Sequence, residues 1–557
     1  MLFQMVSYIG AFPFLEDAPA VLGLEQMVMV ITILTERYRR VLARGAMDRR
    51  KLLFKSLAVY DRRFSGIRPG KKGSRGEESD REGATPQRNS NAVPPHVAQP
   101  GFAVDEPGDE ELSGLDDDDD DDDELVLAAL DSLDYMGALK HKGTSTNQSA
   151  MIPADNWRKF IMLLLLVAPL DAQESLSSYS NRVSGDELES LRETADCVLA
   201  SFLNVEQAPG VKFHRFNTII PASMPFMFNG LTALLEHFLF SKKLDFHQHI
   251  GDQPNPVNCL PPDPVQPLLE QTGSIMNLNV LSQLSFFIPG SSIFRRLRPL
   301  YNGDEDGFSM GSFESKVFNW RAPTILLVSG TRLPDEAAHA RSGPASAFLA
   351  TLPSRRFPPG NNTGSGDERL TFGVYLSQPW KQTHRECFGA EDTLLFQLQP
   401  VHDVFRASTL NKDYASFTKP SASSPLGGIS FGCPPPQQTQ AYRRSNIMSL
   451  GPVSLALESG FEFGCFTHNY TSQGGAFQTS VARKFDFEER FEISSIEVWG
   501  CGGDEEAKHQ AERWAWEARE AEARRKINLG TGDIDADRAL LEMAGLVGAN
   551  RSGGSMG

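Results

Sequence analysis

The stretch of sequence that decides the fold is TFGVYLSQPWKQTHRECFGAEDTLLFQLQP, residues 371–400. Apolar side chains occupy every second position near each of its ends, in two series: Leu370, Phe372, Val374, Leu376 and Leu394, Phe396, Leu398. A period of two is typical of β-strands, because successive side chains of a strand point to opposite faces of a sheet. The stretch therefore predicts two strands.

The same pattern continues on both sides of this stretch. Alternating runs follow it at Val453, Leu455, Leu457, at Phe461, Phe463 and at Ile496, Val498, and a continuous apolar run precedes it at Ile325–Val328. Loops rich in Gly, Pro and Ser, residues 355–368 and 419–446, separate these runs. Many antiparallel strands of this kind predict two packed sheets, a β-sandwich.

Helical spacing dominates the chain before residue 270. Apolar side chains lie on one face of residues 24–42, and a second helical stretch covers residues 51–60. The predicted signals for later helix starts are Asp155, the S-x-x-E capping box of Ser184 and Glu187, and Asn229. Helices in the first half and strands in the second predict a mixed α+β fold.

Composition divides the chain into five segments. Residues 65–124 are rich in Gly, Pro, Ser, Asn and charge, which cannot bury enough apolar surface to fold. The predicted organisation is a helical N-terminal segment (1–64), a disordered acidic linker (65–124), a continued helical domain (125–270), a strand-rich domain (271–503) and C-terminal helices with a tail (504–557). The apolar opening, LFQMVSYIGAFPF from residue 2, predicts that the chain starts inside a folded domain.

The formal net charge of -17 is concentrated in one place. Residues 105–124 hold fourteen acids and no Lys or Arg, and they end in the run Asp116–Asp123 and Glu124. The remaining chain carries only about -3, an ordinary balance. A pI near 5.2 without a long basic tract argues against direct nucleic-acid binding.

Cysteine spacing and hydropathy indicate a protein of a reducing compartment. The six cysteines are far apart and form no C-x-x-C pair, so a dense disulfide framework is not expected. The longest apolar runs are much shorter than the roughly 20 residues of a membrane span. No signal peptide is predicted, because residues 1–15 have no basic start.

One motif suggests a hydrolase. Gly428–Gly432 reads G-x-S-x-G, the pattern of a nucleophile elbow, with Ser430 as the nucleophile and His468 or His509 downstream. That elbow requires a helix after the serine, whereas Cys433 and three prolines follow here. The favoured interpretation is a strand bounded by glycines.

Metal and acid–base sites are equally poorly supported. His247, His249 and Cys259 lack a fourth ligand, and the Asp116–Asp123 run lacks the Gly and Glu positions of a calcium-binding EF-hand loop. Glu391, Glu458 and Cys465 are the remaining candidates for chemistry, but none has an evident catalytic partner. No catalytic, cofactor-binding or metal-binding residues are therefore predicted.

A narrow apolar stripe marks the region after residue 503. Ala507, Ala511, Trp514, Ala518 and Ala521 share one side of a predicted helix, and a last short helix is predicted at 533–547. The stripe suits close packing on the sandwich or docking into a groove on a partner, and we favour packing within the chain because the helix directly follows the final strand.

The strand-rich part resembles a TLDc domain. The resemblance is carried by Phe372-Gly373, Trp380, Gly389 and Leu395-Phe396, and then by GISFG (428–432), LALESGFEFGCFTHN (455–469) and FEISSIEVWGCG (491–502). These elements appear in the order typical of the family, including its terminal Glu-Val-Trp-Gly at residues 497–500.

The whole chain also resembles the fungal restriction-of-telomere-capping protein five family. The stretches that carry this resemblance are LEDAPAVLGLEQMVMVITILTERYRRVL, FFIPGSSIFRRLRPLYNG and VFNWRAPTILLVSG. The resemblance implies a helical domain followed by a TLDc β-sandwich flanked by helices. It also implies a cytoplasmic protein, peripheral at the vacuole membrane, with an indirect influence on telomere capping. TLDc proteins more broadly are linked to oxidative-stress resistance and to the vacuolar proton pump, the V-ATPase.

We therefore expect a non-enzymatic regulatory protein that binds protein partners, with V-ATPase subunits as the candidates that the resemblance implies. The alternatives are a TLDc-fold enzyme, either a hydrolase or a peroxide-handling one, and a scaffold in a stress-response pathway. No transmembrane segment and no direct nucleic-acid contact are expected.

Overall fold

The computed structural model describes residues 1–11, 22–40, 49–60, 150–170, 176–203, 209–240, 269, 271–290, 293–333, 343–360, 369–383, 385–420, 427–435, 447–502 and 504–528. Helices dominate the N-terminal part of these residues, and antiparallel strands dominate the C-terminal part. The predicted mixed α+β class is confirmed.

The N-terminal part contains seven of the described helices and three short strands. The helices are α1 (Leu2–Ala11), α2 (Leu24–Leu34), α3 (Arg49–Leu57), α4 (Ala154–Val167), α5 (Gly185–Phe202), α6 (Phe213–Ser223) and α7 (Asn229–Phe240). The strands β1 (Val59–Tyr60), β2 (Ala150–Pro153) and β3 (Gly210–Lys212) form a small antiparallel sheet.

The C-terminal part is built on one large antiparallel sheet. Its strands are β4 (Arg298–Asn302), β5 (Thr324–Arg332), β6 (Arg369–Leu376), β7 (Leu394–Gln399), β8 (Asp403–Arg406), β9 (Ala415–Thr418), β10 (Gly428–Phe431), β11 (Val453–Glu458), β12 (Phe463–His468) and β13 (Phe487–Gly500). The order is β8-β7-β6-β5-β13-β12-β11-β10-β9, and β4 pairs with β13. The helices here are α8 (Leu278–Leu284), α9 (Ile293–Arg296), α10 (Gly303–Asp306), α11 (Met310–Val317), α12 (Pro344–Thr351) and α13 (Asp504–Asn528).

The large sheet folds over so that its two halves pack face to face. Phe372 in β6 stacks on Phe466 in β12 with ring centroids 4.7 Å apart, although β5 and β13 lie between these strands in the sheet. A flat sheet would hold the two rings roughly 14 Å apart, because neighbouring strands are about 4.8 Å apart. A register shift in β13 between Ile493 and Ser495 supplies a bulge of the kind that bends a strand. The predicted two-layer packing is confirmed, but both layers belong to one continuous sheet.

The N-terminal helices surround a second apolar core and dock against the large sheet. Trp157 is completely buried and contacts the rings of Phe160, Phe202 and Phe216. At the contact with the sheet, the backbone N–H of His402 donates to the carbonyl oxygen of Cys197 in α5 at 2.9 Å, and Nε of Arg406 donates to that of Ala222 in α6 at 2.9 Å. Backbone carbonyl oxygens of α5 and α6 thus bind residues of the large sheet at this contact.

Several helix boundaries differ from the prediction. The helix expected over 24–42 ends at Leu34, because Glu36 adopts the left-handed backbone conformation with φ of 56°. The hydroxyl of Ser184 donates to the carbonyl oxygen of Asn181 at 3.3 Å, so the expected capping box with Glu187 does not form. Asp155 lies in the first turn of α4 rather than at its cap.

Two further predictions are corrected by the structure, and two others fall outside the described residues. The stretch 51–60 is helical only to Leu57, since Val59 and Tyr60 pair with β2. Phe461 lies in the turn before β12 rather than in a strand. The helix predicted for 533–547 falls outside the described residues, as does the whole of the predicted linker 65–124.

Candidate functional site

Ser430 lies in the middle of β10, and β10 lies between the strands β9 and β11 in the sheet. It pairs with Ser416 in β9 and Ala456 in β11, and its Oγ lies 2.6 Å from Oγ of Ser416. No helix begins after the strand within the described residues 427–435. The structure therefore places Ser430 in a strand bounded by glycines, as favoured from the sequence, and not on a strand-to-helix turn.

His468 does not meet Ser430 in the structure. Its Nδ1 lies 2.9 Å from the carbonyl oxygen of Phe485, and its Nε2 accepts a hydrogen bond from the backbone N–H of Ser480 at 2.9 Å. This arrangement requires a neutral ring with the proton on Nδ1. Burial and then the nearby Arg483 lower the pKa of His468 to about 4. His509, the other histidine considered, is exposed on α13.

The remaining candidates for chemistry are separated in the fold. Glu391 is exposed in the turn before β7, whereas Glu458 ends β11 and has a pKa raised by partial burial and then by the charge of Glu462. Cys465 is fully buried in β12, and burial raises the pKa of its thiol to about 12. Because the thiolate is the reactive form, this environment disfavours redox chemistry at Cys465.

The predicted metal-ligand candidates are not among the described residues. His247, His249, Cys259 and the run Asp116–Asp123 all lie outside them. Across the ranges that the structure describes, there is no group of three or more His, Cys, Asp or Glu side chains able to hold a metal ion.

A buried polar network that the sequence did not reveal joins β8 to the segment before β13. Asp403 is completely buried, and its Oδ2 accepts hydrogen bonds from Oγ of Ser480 at 2.5 Å and from Nε of Arg483 at 2.9 Å. Arg483 also donates through Nη2 to Gln397 at 2.7 Å, and its guanidinium lies 4.2 Å from the ring centroid of Phe487. Every charged group in this set has an opposite charge or a strong hydrogen-bond partner.

This network contains a serine, a histidine and an aspartate, but it is not arranged like a hydrolase triad. Oγ of Ser480 donates to Asp403, and His468 receives only the backbone N–H of Ser480. A triad instead needs the serine hydroxyl on the histidine and the histidine on the carboxylate. All three side chains are also at most 2% exposed, so a substrate has no direct access to them. The geometry is suited to fixing the 480–487 segment on the sheet.

The glutamate of the Glu-Val-Trp-Gly hallmark anchors another segment. Glu497 is 1% exposed, and its carboxylate accepts hydrogen bonds from the backbone N–H groups of Ile275 at 2.8 Å and Met276 at 3.1 Å. Nε1 of Trp499 donates to the same carboxylate at 2.9 Å. Gly273 leaves the space that this carboxylate occupies, since a Cβ there would lie 2.4 Å from it. Glu497 thus holds the start of the domain against its last strand.

Most of the described side chains of the C-terminal helix α13 are exposed. Ala507 packs against the main core, and Nζ of Lys316 lies 5.4 Å from the ring centroid of Trp514. Farther along the predicted stripe, Ala518 and Ala521 are exposed. The expected packing on the sandwich therefore holds for the start of the helix, and the stripe continues beyond it.

Trp516 is the second aromatic side chain of α13 and the most exposed one in the described chain apart from Phe238. It is 56% exposed. Because each residue turns a helix by about 100°, Trp516 points away from the side that carries Trp514. A large exposed indole on a helix is a typical anchor for a protein partner.

No helix within the described ranges is both long and apolar enough to cross a membrane. The sequence pattern of the TLDc domain family matches residues 269–502, which contain the whole large sheet.

Similar proteins extend the comparison to the full chain. The restriction of telomere capping protein 5 of Neurospora crassa is 61% identical over 558 residues, and that of Colletotrichum graminicola is 60% identical over 556 residues. The protein of the same name from Neosartorya fischeri is 33% identical over 607 residues. Each comparison covers 100% of this chain and 87% of the relative. The chain therefore belongs to the fungal restriction of telomere capping protein 5 family and carries a TLDc domain.

Proposed function

We propose that this protein is a non-enzymatic regulatory protein that acts by docking onto protein partners through its TLDc domain and α13. The observation that carries the proposal is the 56% exposure of Trp516 on the 25-residue α13, a helix that contacts the main core through Ala507 near its start. Exposed tryptophan is strongly enriched among the residues that dominate binding energy in protein interfaces.

The state of the polar side chains supports the same proposal. Ser430 is hydrogen bonded to another serine, and Asp403 is neutralised by Arg483. Glu391 is exposed in the turn before β7. General acid–base and nucleophilic catalysis both need such groups to meet around an accessible position.

The family resemblance suggests the partner. We propose subunits of the V-ATPase as the target, at the cytoplasmic surface of the vacuole, with an indirect influence on telomere capping and on resistance to oxidative stress. The acidic balance of the chain favours protein contacts over DNA contacts.

Affinity purification of the full chain from fungal cells tests the proposal. We expect V-ATPase subunits to be recovered, and Trp516→Ala to reduce their recovery by about tenfold or more, as for an interface hot spot. Leu410→Ala is the matched control, because Leu410 is a large apolar side chain, 82% exposed, on a loop distant in sequence from α13.

The outcomes separate the parts of the proposal. Recovery of other partners without pump subunits would reject the V-ATPase as target. Equal recovery with Trp516→Ala and Leu410→Ala would reject docking through this side of α13. If a function in cells is lost on replacing only Ser430, Glu391 or Cys465 while the fold is retained, the enzymatic alternative is favoured instead.

A further inference from the structure

His402 lies where the N-terminal helices meet the TLDc domain. Its backbone N–H donates to the carbonyl oxygen of Cys197 in α5, and its side chain is completely buried. A second backbone hydrogen bond crosses the same contact, from the N–H of Phe226, which follows α6, to the carbonyl oxygen of Phe286, which follows α8, at 2.9 Å. We call this contact, bridged by these two hydrogen bonds, the junction.

The hydrogen bonds of the His402 ring require it to be neutral. Nδ1 of His402 lies 3.1 Å from Nε2 of Gln283 in α8, and the same amide nitrogen donates to the carbonyl oxygen of Leu398 at 3.2 Å. Because a carbonyl oxygen only accepts, the amide presents its NH2 group to both, and Nδ1 must be an acceptor. A charged ring carries a proton on Nδ1 as well, which would place two donors face to face.

Nε2 of His402 carries the proton of the neutral ring and has no hydrogen-bond partner among the residues that the structure describes. The neighbouring carboxylate of Asp403 is already occupied. Its Oδ1 accepts from the backbone N–H of Val404 at 3.0 Å, and its Oδ2 accepts from Ser480 and Arg483. A charged ring would therefore have two unbonded N–H groups, which is costly at a buried position.

The elements packed around the ring supply little compensating charge. Neither α8 nor β7 contains a titratable side chain. The contact from α5 is the backbone of Cys197, α6 ends at the uncharged Ser223, and Arg406 directs its guanidinium to a carbonyl oxygen of α6. Burial lowers the pKa of His402 to about 4, although the charge of Asp403 and then the backbone of Ser223 act in the opposite direction.

The helices are the weaker side of the packing around His402. Leu284 of α8 and Leu398 of β7 belong to one apolar cluster. The helices α5 and α6 belong to another, to which the described TLDc residues contribute only Phe286 and Ala482. Water therefore reaches His402 with less loss of apolar packing if α5 and α6 separate from the sheet than if α8 does.

We infer that His402 makes the junction sensitive to acid: when its ring takes up a proton, the N-terminal helices separate from the TLDc domain. Separation allows water to hydrate the charged ring, which then titrates near its ordinary pKa of 6.5. The contribution of His402 to the closed junction is thus complete above pH 6.5 and is lost as the pH falls toward 4. Between pH 7.5 and pH 5.5, the ratio of separated to closed molecules rises about tenfold.

Hydrogen exchange of the full chain at pH 7.5 and pH 5.5, corrected for the intrinsic effect of pH on exchange, measures this ratio. We expect the protection of the His402 and Phe226 N–H groups to fall together by about tenfold at pH 5.5, because both hydrogen bonds cross the junction. The N–H of Leu164, in the buried middle of α4, should keep its protection. Unchanged protection at the junction, a fall at His402 alone, or an equal fall at Leu164 would each overturn the inference.

His402→Gln identifies the group that responds to acid, because a glutamine amide takes up no proton in this range. We expect the protection of the Phe226 N–H in this variant to be the same at both pH values. His214→Gln, at an exposed histidine of α6, is the matched control and should retain the fall of about tenfold. If the fall instead disappears in His468→Asn and persists in His402→Gln, the acid-sensitive group is not His402 and the inference is overturned.

Nitrogen NMR of the histidine rings in the unchanged chain gives a measurement that needs no variant to fold. The His402 ring is identified by its contact with the ring of Phe287, at 5.4 Å between centroids. At pH 6 we expect this ring to be neutral, with its proton on Nε2. A charged ring at that pH, or a proton on Nδ1, would contradict the geometry on which the acid response depends. None of these measurements involves α13, so their failure would not bear on the proposed docking of Trp516.

Discussion

Replacing Glu497 by Gln tests the anchor that closes the TLDc domain. The substitution keeps the size of the side chain but turns one acceptor oxygen into an N–H2 group. Of the three donors around the carboxylate, Met276 N–H and Trp499 Nε1–H face Oε2, and Ile275 N–H faces Oε1. If the amide oxygen accepts from Met276 and Trp499, the amide nitrogen faces the N–H of Ile275. That N–H then has no acceptor.

The expected cost follows from these contacts. A hydrogen bond to a charged group contributes about 1.5–3 kcal/mol, and an unsatisfied buried donor costs a further part of its desolvation energy. We therefore expect Glu497→Gln to lower the free energy of unfolding of the TLDc domain by about 3 kcal/mol. A loss of that size makes opening of this region roughly a hundred times more frequent.

Hydrogen exchange of the full chain provides the assay. The backbone N–H groups of Ile275 and Met276 should exchange much faster in the variant, and urea denaturation should show the same loss of stability. Glu492→Gln is the control, because Glu492 lies on the same strand but is exposed, so its change should stay within about 0.5 kcal/mol. If the two variants exchange and unfold alike, the carboxylate of Glu497 is not the anchor described here.

Three further predictions concern the polar side chains of the candidate site. Arg483→Met should destabilise the protein by about 3–5 kcal/mol, because it leaves the buried Asp403 without its counter-charge; urea denaturation checks this, and an equal effect of Lys484→Met, at an exposed neighbour, would contradict it. Since the pKa of His468 is about 4 when folded, against an ordinary 6.5, its contribution to stability is complete above pH 6.5 and is lost as the pH falls toward 4. Because of this group, the free energy of unfolding should therefore be about 2 kcal/mol lower at pH 5 than at pH 7. This difference should shrink in His468→Asn but persist in His509→Gln. An unchanged difference in His468→Asn would refute the assignment. Ser430→Ala should cost only about 1 kcal/mol, the value of one hydrogen bond, and should leave recovery of protein partners unchanged; abolished recovery from a folded variant would contradict this view of Ser430.

Local patterns predicted the strands with strong apolar alternation. The alternation from Leu370 to Leu376 and from Leu394 to Leu398 appears as β6 and β7, because each strand buries one side against the main core and the other under α8 or α9. Short strands were missed. β8 and β9 have four residues each, too few for a period of two to stand out.

The sequence was less informative about helix ends. Ser184 and Glu187 have the spacing of a capping box, yet the Ser184 hydroxyl bonds to the preceding turn. The helix over residues 24–34 stops where Glu36 adopts a positive φ. Glycine is the usual residue at such a position, so the residue type here does not predict the end of the helix. Such choices depend on the surroundings of the turn.

The amino-acid sequence by itself determined the α+β class, the TLDc hallmarks and the concentration of negative charge in residues 105–124. Tertiary structure alone decided which polar groups meet. Asp403 and Arg483 are 80 positions apart, and Glu497 is 222 positions from Ile275. The spacing of apolar residues along the sequence indicates only whether a side chain faces the interior. The partner of a buried charge depends on which segments become neighbours when the sheet folds over.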